Sequence, residues 1–262
     1  MYARVVEGTR PGGLPSSVRA SSVRARLGRG LVGAPPYPAS AADTATIRLA
    51  GLELPVRPTV AIVVTVLVLL ADYHRNLLPA DILFSRDPVA MRSVAIERLA
   101  LFGLVPLAIV LALFRDDPRR FGLRLGDWRA GIVIAAVGML VLTPIVIWLG
   151  HSPDFGAYYA PSATDTPDLV LTNALDLGAA EFLFRGFLMF ALLRTIGPLA
   201  VLVAAVPFAF SHLGKPELET LSALFGGAVF GWVDWRTGSI LYSAAAHVAI
   251  LTLVTLAAAG RI

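Results

Sequence analysis

The sequence predicts an all-α fold, a polytopic transmembrane helix bundle of about seven spans. Two observations predict it. Of 262 residues, 56% are hydrophobic and 15% charged, against about 25% charged in soluble domains, and the mean hydropathy is +0.74. The apolar residues also fall in long blocks, as a bilayer requires when each helix needs about 20 residues to cross. Absence of cysteine excludes disulfides and thiol chemistry. The net charge of +4 is carried almost wholly by arginine, Lys215 being the only lysine. Such charge fits the setting of membrane topology, and the aromatic–basic interleaving of single-strand binders is missing. Membrane lipid is the expected partner, and nucleic acid is not.

Residues 1–54 are expected to form a disordered basic N-terminal tail. Arg, Ser, Gly, Pro and Ala dominate there, without the apolar run of a secretory signal. Residues 55–262 form the transmembrane domain. Its first span, 58–72, is short for a bilayer and needs extension to residue 78. The second, 93–114, ends at Arg115-Asp116-Asp117-Pro118, since proline cannot continue the helix. An amphipathic piece, 121–129, is expected at the interface before the third span, 130–150. The loop 151–166 lacks Lys and Arg, and its Tyr158 and Tyr159 suit headgroup depth. The fourth span, 169–194, differs from the others in carrying Asn173, Asp176, Glu181 and Arg185. The fifth, 197–214, holds His212. The sixth, 218–235, holds Gly227 and Gly231, a small-residue spacing read as close helix packing. The seventh, 239–259, holds His247. With the N-terminus inside, nine basic residues flank the inner span ends against six outside, as the positive-inside rule prefers. A bacterial cell membrane is the expected setting.

Glu181 and Arg185 stand four residues apart, so a helix puts them on one face as a pair. Ionisable groups at membrane depth are costly and mark function by default. At about 100° per residue, Asn173, Asp176 and Ala180 share one face, while Glu181 and Arg185 share another about a quarter turn away. His74 and His151 sit at span ends and need no special role. His212 or His247 alone reads as an interhelical hydrogen bond, and Arg185 alone as the neutraliser of Glu181. Three groups on three spans point further. Glu181, His212 and His247 make up a two-histidine, one-carboxylate set of the kind that holds zinc. Zinc or another divalent metal is therefore an expected cofactor, one that would make water a nucleophile at neutral pH.

Glu181-xxx-Arg185-Gly186, then Phe208-Ala-Phe-Ser-His212, then His247 in a last apolar span, resemble the CPBP family. These are the CAAX prenyl proteases and the bacteriocin-processing (Abi) membrane proteins. The resemblance covers about residues 95–260, with its motif-bearing core at about 167–260. It implies an intramembrane metalloendopeptidase in which a motif glutamate activates water and the histidines, with an asparagine, bind metal or stabilise the oxyanion. Carried over, the catalytic residues are Glu181, Arg185, His212 and His247, the metal ligands Glu181, His212 and His247, and the substrate a peptide or protein held at the membrane. Two positions depart from the family motifs. Ala180 stands where the first glutamate of a Glu-Glu pair is expected, and Leu251 where an asparagine should follow His247. Three readings follow: Glu181 takes over as base or ligand; Asp176, or else Glu217 or Glu219, substitutes; or the chain is a catalytically silent scaffold or partner-binding protein. A transporter is disfavoured, since no inverted repeat is visible.

Overall fold

The computed structural model describes residues 33–74, 78 and 85–262. Residues 1–32 of the expected tail, the extension of the first span through 75–77, and loop residues 79–84 lie outside the described residues.

The fold is a bundle of helices with one small hairpin. Strands β1 (Thr46–Leu49) and β2 (Leu52–Pro55) pair antiparallel, Thr46 opposite Pro55 and Leu49 opposite Leu52. Helix α1 (Val56–His74) follows directly. Helix α2 (Pro88–Leu113) starts at a proline, and Asp87 caps it by accepting from the amides of Val89 and Ala90, the usual answer to unpaired first-turn donors. Helix α3 (Trp128–Gly150) is capped by Asp127. A short α4 (Pro153–Tyr159) leads to α5 (Thr166–Glu181), which continues through wide π-type turns at Phe182–Met189 into α6 (Phe190–Ile196). Helices α7 (Leu199–Phe210), α8 (Glu217–Thr237) and α9 (Leu241–Ala258) complete the chain.

All seven expected apolar segments are helical, which bears out the all-α membrane bundle. Among the described residues, only α1, α2, α3 and α9 are long and apolar enough to cross a membrane by length and composition. Helix α7 is apolar but short. Helix α8 carries Glu217 and Glu219 in its first turn and Arg236 in its last. The α5–α6 rod is the centre of the bundle, with every residue from 179 to 194 buried. Its charges therefore face protein, where an ionisable group can be partnered.

Lipid supplies no hydrophobic force between helices, so close packing must hold them. Helix α3 leaves Val137, Leu140, Val141 and Trp148 exposed. It is seated on α9 at two glycines. A Cβ on Gly131 would come within 2.4 Å of the Tyr242 ring, and one on Gly150 within 2.6 Å of Ala257. These contacts set α3 and α9 side by side and parallel. Gly227 and Gly231 play the packing role read from their spacing. A Cβ on Gly227 would meet Phe208 at 2.8 Å, and one on Gly231 would meet Met189 and Val201 at 3.1 Å.

The described part of the expected disordered tail, residues 33–54, is docked on the bundle. Trp235 donates to the Pro35 carbonyl at 2.8 Å, and Tyr37 donates to that of Arg120 at 2.6 Å while packing on Phe190. Asp43, 2% exposed, meets Arg57 at 2.6 Å, Arg120 at 3.0 Å and Arg194 at 3.5 Å. Asp116 joins through Arg57 at 2.7 Å and Arg120 at 2.8 Å. Composition suggested a loose tail because it counts charges without their partners. One carboxylate that meets three guanidiniums from three elements is enough to anchor the segment. Burial alone would raise the Asp43 carboxyl, but hydrogen bonds from the Ser40 side chain and amide, then from Arg57, outweigh it and hold the group well below the usual carboxylate range.

Candidate active site

The site is built around the ring of Phe208 in α7. The Arg185 guanidinium lies 3.7 Å from its centroid, the His212 ring 4.5 Å and the His247 ring 5.9 Å. Phe184 packs edge-on against it at 5.5 Å. Residues from the α5–α6 rod, the end of α7 and the middle of α9 thus meet on one aromatic surface, with a cation–π contact holding Arg185.

A cavity of about 360 Å³ opens beside this cluster. His212 and His247 both line it, as do Asn173, Asp176 and Ala180, the three residues that helical spacing places on one face of α5. Leu251 lines it too. Both departures from the family motifs therefore fall in the wall of the cavity that the two histidines share.

Glu181 and Arg185 do not line the cavity. They lie behind it, 0% and 1% exposed. Glu181 Oε1 accepts from Arg185 Nη1 at 3.2 Å and from His247 Nδ1 at 2.8 Å, and its Oε2 faces the Ser243 hydroxyl at 3.4 Å. The quarter-turn offset between Ala180 and Glu181 is the reason. Position 180 looks into the cavity, while position 181 reaches it only through an imidazole.

Hydrogen bonding fixes both histidine tautomers. A carboxylate oxygen accepts only, so Nδ1 of His247 carries the proton it gives to Glu181. His212 Nδ1 lies 2.9 Å from the Phe208 carbonyl, which also accepts only. Each ring therefore keeps a lone pair on Nε2. A carboxylate that orients a histidine in this way recurs in hydrolytic sites, where it fixes the tautomer and raises basicity.

Asp176 and Glu219, two of the carboxylates expected as substitutes, are engaged. Asp176 is held by Arg98 at 3.1 Å, and Arg98 also grips Asp72 at 2.8 Å. Glu219 accepts from the Tyr159 hydroxyl at 2.5 Å and from Lys215 at 2.8 Å. The Asn173 amide donates to Thr252 at 3.1 Å, next in the chain to Leu251, the position where the motif amide is lacking. His74 and His151 are exposed at helix ends, away from the cavity.

The donor set bears on the expected metal. His212 and His247 each offer one lone pair to the cavity. Glu181 points away with both oxygens engaged, and Ala180 and Leu251 carry no donor. Among the described residues, no three of His, Asp and Glu are grouped to hold a metal ion. A catalytic zinc takes three protein ligands, so these residues do not fit a resident zinc.

Sequence reading missed Arg98 and Tyr159. Arg98 joins α1, α2 and α5 through Asp72 and Asp176. Its position beside the run Leu99–Phe114 was the available signal. Tyr159 was read as a headgroup anchor, but it is 5% exposed and lines the cavity.

Fold and site together define a helical integral membrane protein with a histidine-bearing cavity among its helices. Residues 162–253 match the model of the type II CAAX prenyl endopeptidase Rce1-like family, so this segment is similar to that family. All three motif positions lie inside it, although the match is shorter than the 95–260 over which the motifs suggested resemblance. No curated protein and no solved structure matches the chain.

Proposed function

We propose that the protein is an intramembrane endopeptidase of the CPBP type, which hydrolyses peptide bonds of membrane-held peptides or proteins in the cavity beside Phe208. One observation carries this reading: the buried Glu181 accepts from Nδ1 of His247 and leaves the Nε2 lone pair free on a ring that lines the same cavity as His212. His247 then takes a proton from water as the water attacks the scissile carbonyl, and returns it to the leaving amine. Glu181 is a positioning residue that stabilises the imidazolium formed in between, and Arg185 keeps Glu181 ionised. His212 is the second cavity-facing base or ligand. The motif-bearing core lies at 167–260, within the domain 55–262, and a bacterial cell membrane is its setting. Metal analysis of the purified protein tests separately whether an ion adds to these residues.

The test is cleavage of a membrane-anchored reporter peptide by protein in liposomes. His212→Ala and His247→Ala are each expected to abolish most of the activity, and unchanged cleavage in both would sink the proposal. A second reading, a silent scaffold that binds partners, is favoured by Ala180 and Leu251 standing in the cavity wall. Ala180→Glu separates the two. In a working variant, a carboxylate in the cavity wall takes up substrate space beside His247 and lowers the rate. A gain from no measurable activity identifies the scaffold.

A further inference from the structure

A second cavity, of about 840 Å³, lies at the other end of the α3–α9 pair. Arg120, Arg124, Arg129 and Arg236 line it, together with Asp127 and Trp128. Its wall is built rather than loose. The amide of Asp127 donates to the Thr237 carbonyl at 2.8 Å, and Tyr242 donates to that of Leu125 at 2.7 Å. Gly126, at φ +55°, lets the loop touch the end of α8, where a Cβ would stand 2.1 Å from the Thr237 oxygen. Gly238, at φ +70°, leaves room for the Arg124 guanidinium, which would lie 2.6 Å from a Cβ there.

The charges around this cavity do not balance. Arg236 is paired with Asp127 at 2.9 Å. Arg120 belongs to the cluster in which Arg57, Arg120 and Arg194 share only Asp43 and Asp116. Arg124 gives its Nε proton to a neutral acceptor, the Gly238 carbonyl, at 2.9 Å. Arg129 lies 5.3 Å from the Trp128 ring. Arg129 shares the Asp127 carboxylate with Arg236, and Arg124 meets no carboxylate within ion-pair distance among the described residues, so four guanidiniums face one carboxylate in this lining. The segment 1–32 brings six arginines against Glu7 alone, so it adds no net negative charge. Arg124 and Arg129 are exposed at the mouth of the cavity, where basic residues attract the anionic groups of a membrane surface, and bidentate guanidinium contacts suit phosphate.

We propose that this cavity binds a phosphate group, that of an anionic glycerophospholipid. The arginine-rich end is the inner face by the positive-inside rule, where anionic lipids attract basic residues. The rim supplies a path for acyl chains: Leu125 and Trp128 are 67% and 51% exposed, and Ile132 and Val133 continue the apolar face down α3. The volume is in the range of small-molecule sites, about 300–1,000 Å³. This inference is independent of the peptidase reading.

The test uses the full chain in neutral detergent, with bound species read by native mass spectrometry after addition of phosphatidylglycerol, phosphatidylcholine or inorganic phosphate. Phosphatidylglycerol is expected to be retained over phosphatidylcholine. The Arg124→Gln/Arg129→Gln variant is expected to lose about fivefold in affinity for each arginine removed, the factor for about 1 kcal/mol per basic residue at a charged leaflet. The Arg124→Lys/Arg129→Lys variant keeps the charge and should retain most binding, which guards against misfolding in the first. Equal retention of both lipids, or an unchanged glutamine variant, overturns the proposal. Binding of inorganic phosphate without phosphatidylglycerol overturns the lipid assignment.

Discussion

Two buried ionic clusters sit at different depths of the same bundle and do opposite things with their carboxylates. In the cluster of Asp43 and Asp116, each carboxylate is consumed by guanidiniums from the hairpin end of α1, the end of α2 and α6. Nothing reactive is left over, and the product is a docked N-terminal segment. In the Glu181 cluster, the carboxylate is shared between Arg185 and His247, and the second of these presents a free lone pair to a cavity. Both are costly to bury. Only the second ends in an imidazole that lines a cavity. A buried charge marks function when one of its partners is a titratable group facing open space, and marks architecture when its partners are guanidiniums alone.

The comparison breaks most readily at His247. His247→Ala is expected to lower cleavage by about 10²–10⁴-fold, with thermal stability in detergent little changed. Glu181→Gln is expected to approach the same loss, up to about 10⁴-fold, because its amide can turn an NH₂ toward Nδ1 and favour the wrong tautomer. Cleavage by Glu181→Gln at the wild-type rate would remove Glu181 as the group that orients His247.

At the other cluster the signature reverses. Arg57→Ala strips a buried partner from both Asp43 and Asp116 and is expected to cost about 3–5 kcal/mol of stability, read by denaturation in detergent. The surviving folded protein should cleave at the original rate, and a specific-activity loss would mean that the two clusters are coupled. Gly227→Ala is a smaller perturbation, about 1–3 kcal/mol from overpacking. It presses on Phe208, so it should slow cleavage severalfold while leaving the N-terminal docking intact, as limited proteolysis would show.

The smallest effect is in acid. Asp43 has its carboxyl pKa lowered from the ordinary 3.8 in the folded state. A depressed acid contributes stability that is fully present above its unfolded value and is lost as pH falls through the folded one. Melting temperature should therefore drop as pH falls below about 4, and Asp43→Asn should flatten that part of the profile while lowering the plateau. A wild-type curve that is flat in this window would show that Asp43 gains nothing from its guanidinium partners.

Much of this was legible in the sequence because periodicity is a local property. Long apolar blocks gave the seven helices, and the Gly227–Gly231 spacing gave a packing face. The 100° step along α5 separated Asn173, Asp176 and Ala180 from Glu181 and Arg185, and the cavity obeys that division. The order of motifs pointed to the family whose model matches residues 162–253 before any contact was visible. What stayed hidden depends on meeting partners far along the chain. Arg98 looked like a flanking charge until Asp72 and Asp176 closed on it, and Asp43 looked like part of a loose tail until three arginines reached it.

By itself, then, the sequence determined the helical membrane architecture and the set of residues able to do chemistry, since both follow from spacing along one chain. The tertiary structure alone decided their roles. It turned Glu181 away from the cavity toward His247, placed Ala180 and Leu251 in the cavity wall, and gathered Arg185, His212 and His247 on Phe208. The physical reason is that a side chain's role depends on what its free lone pair or proton faces. That direction is set by the packing of helices remote in sequence.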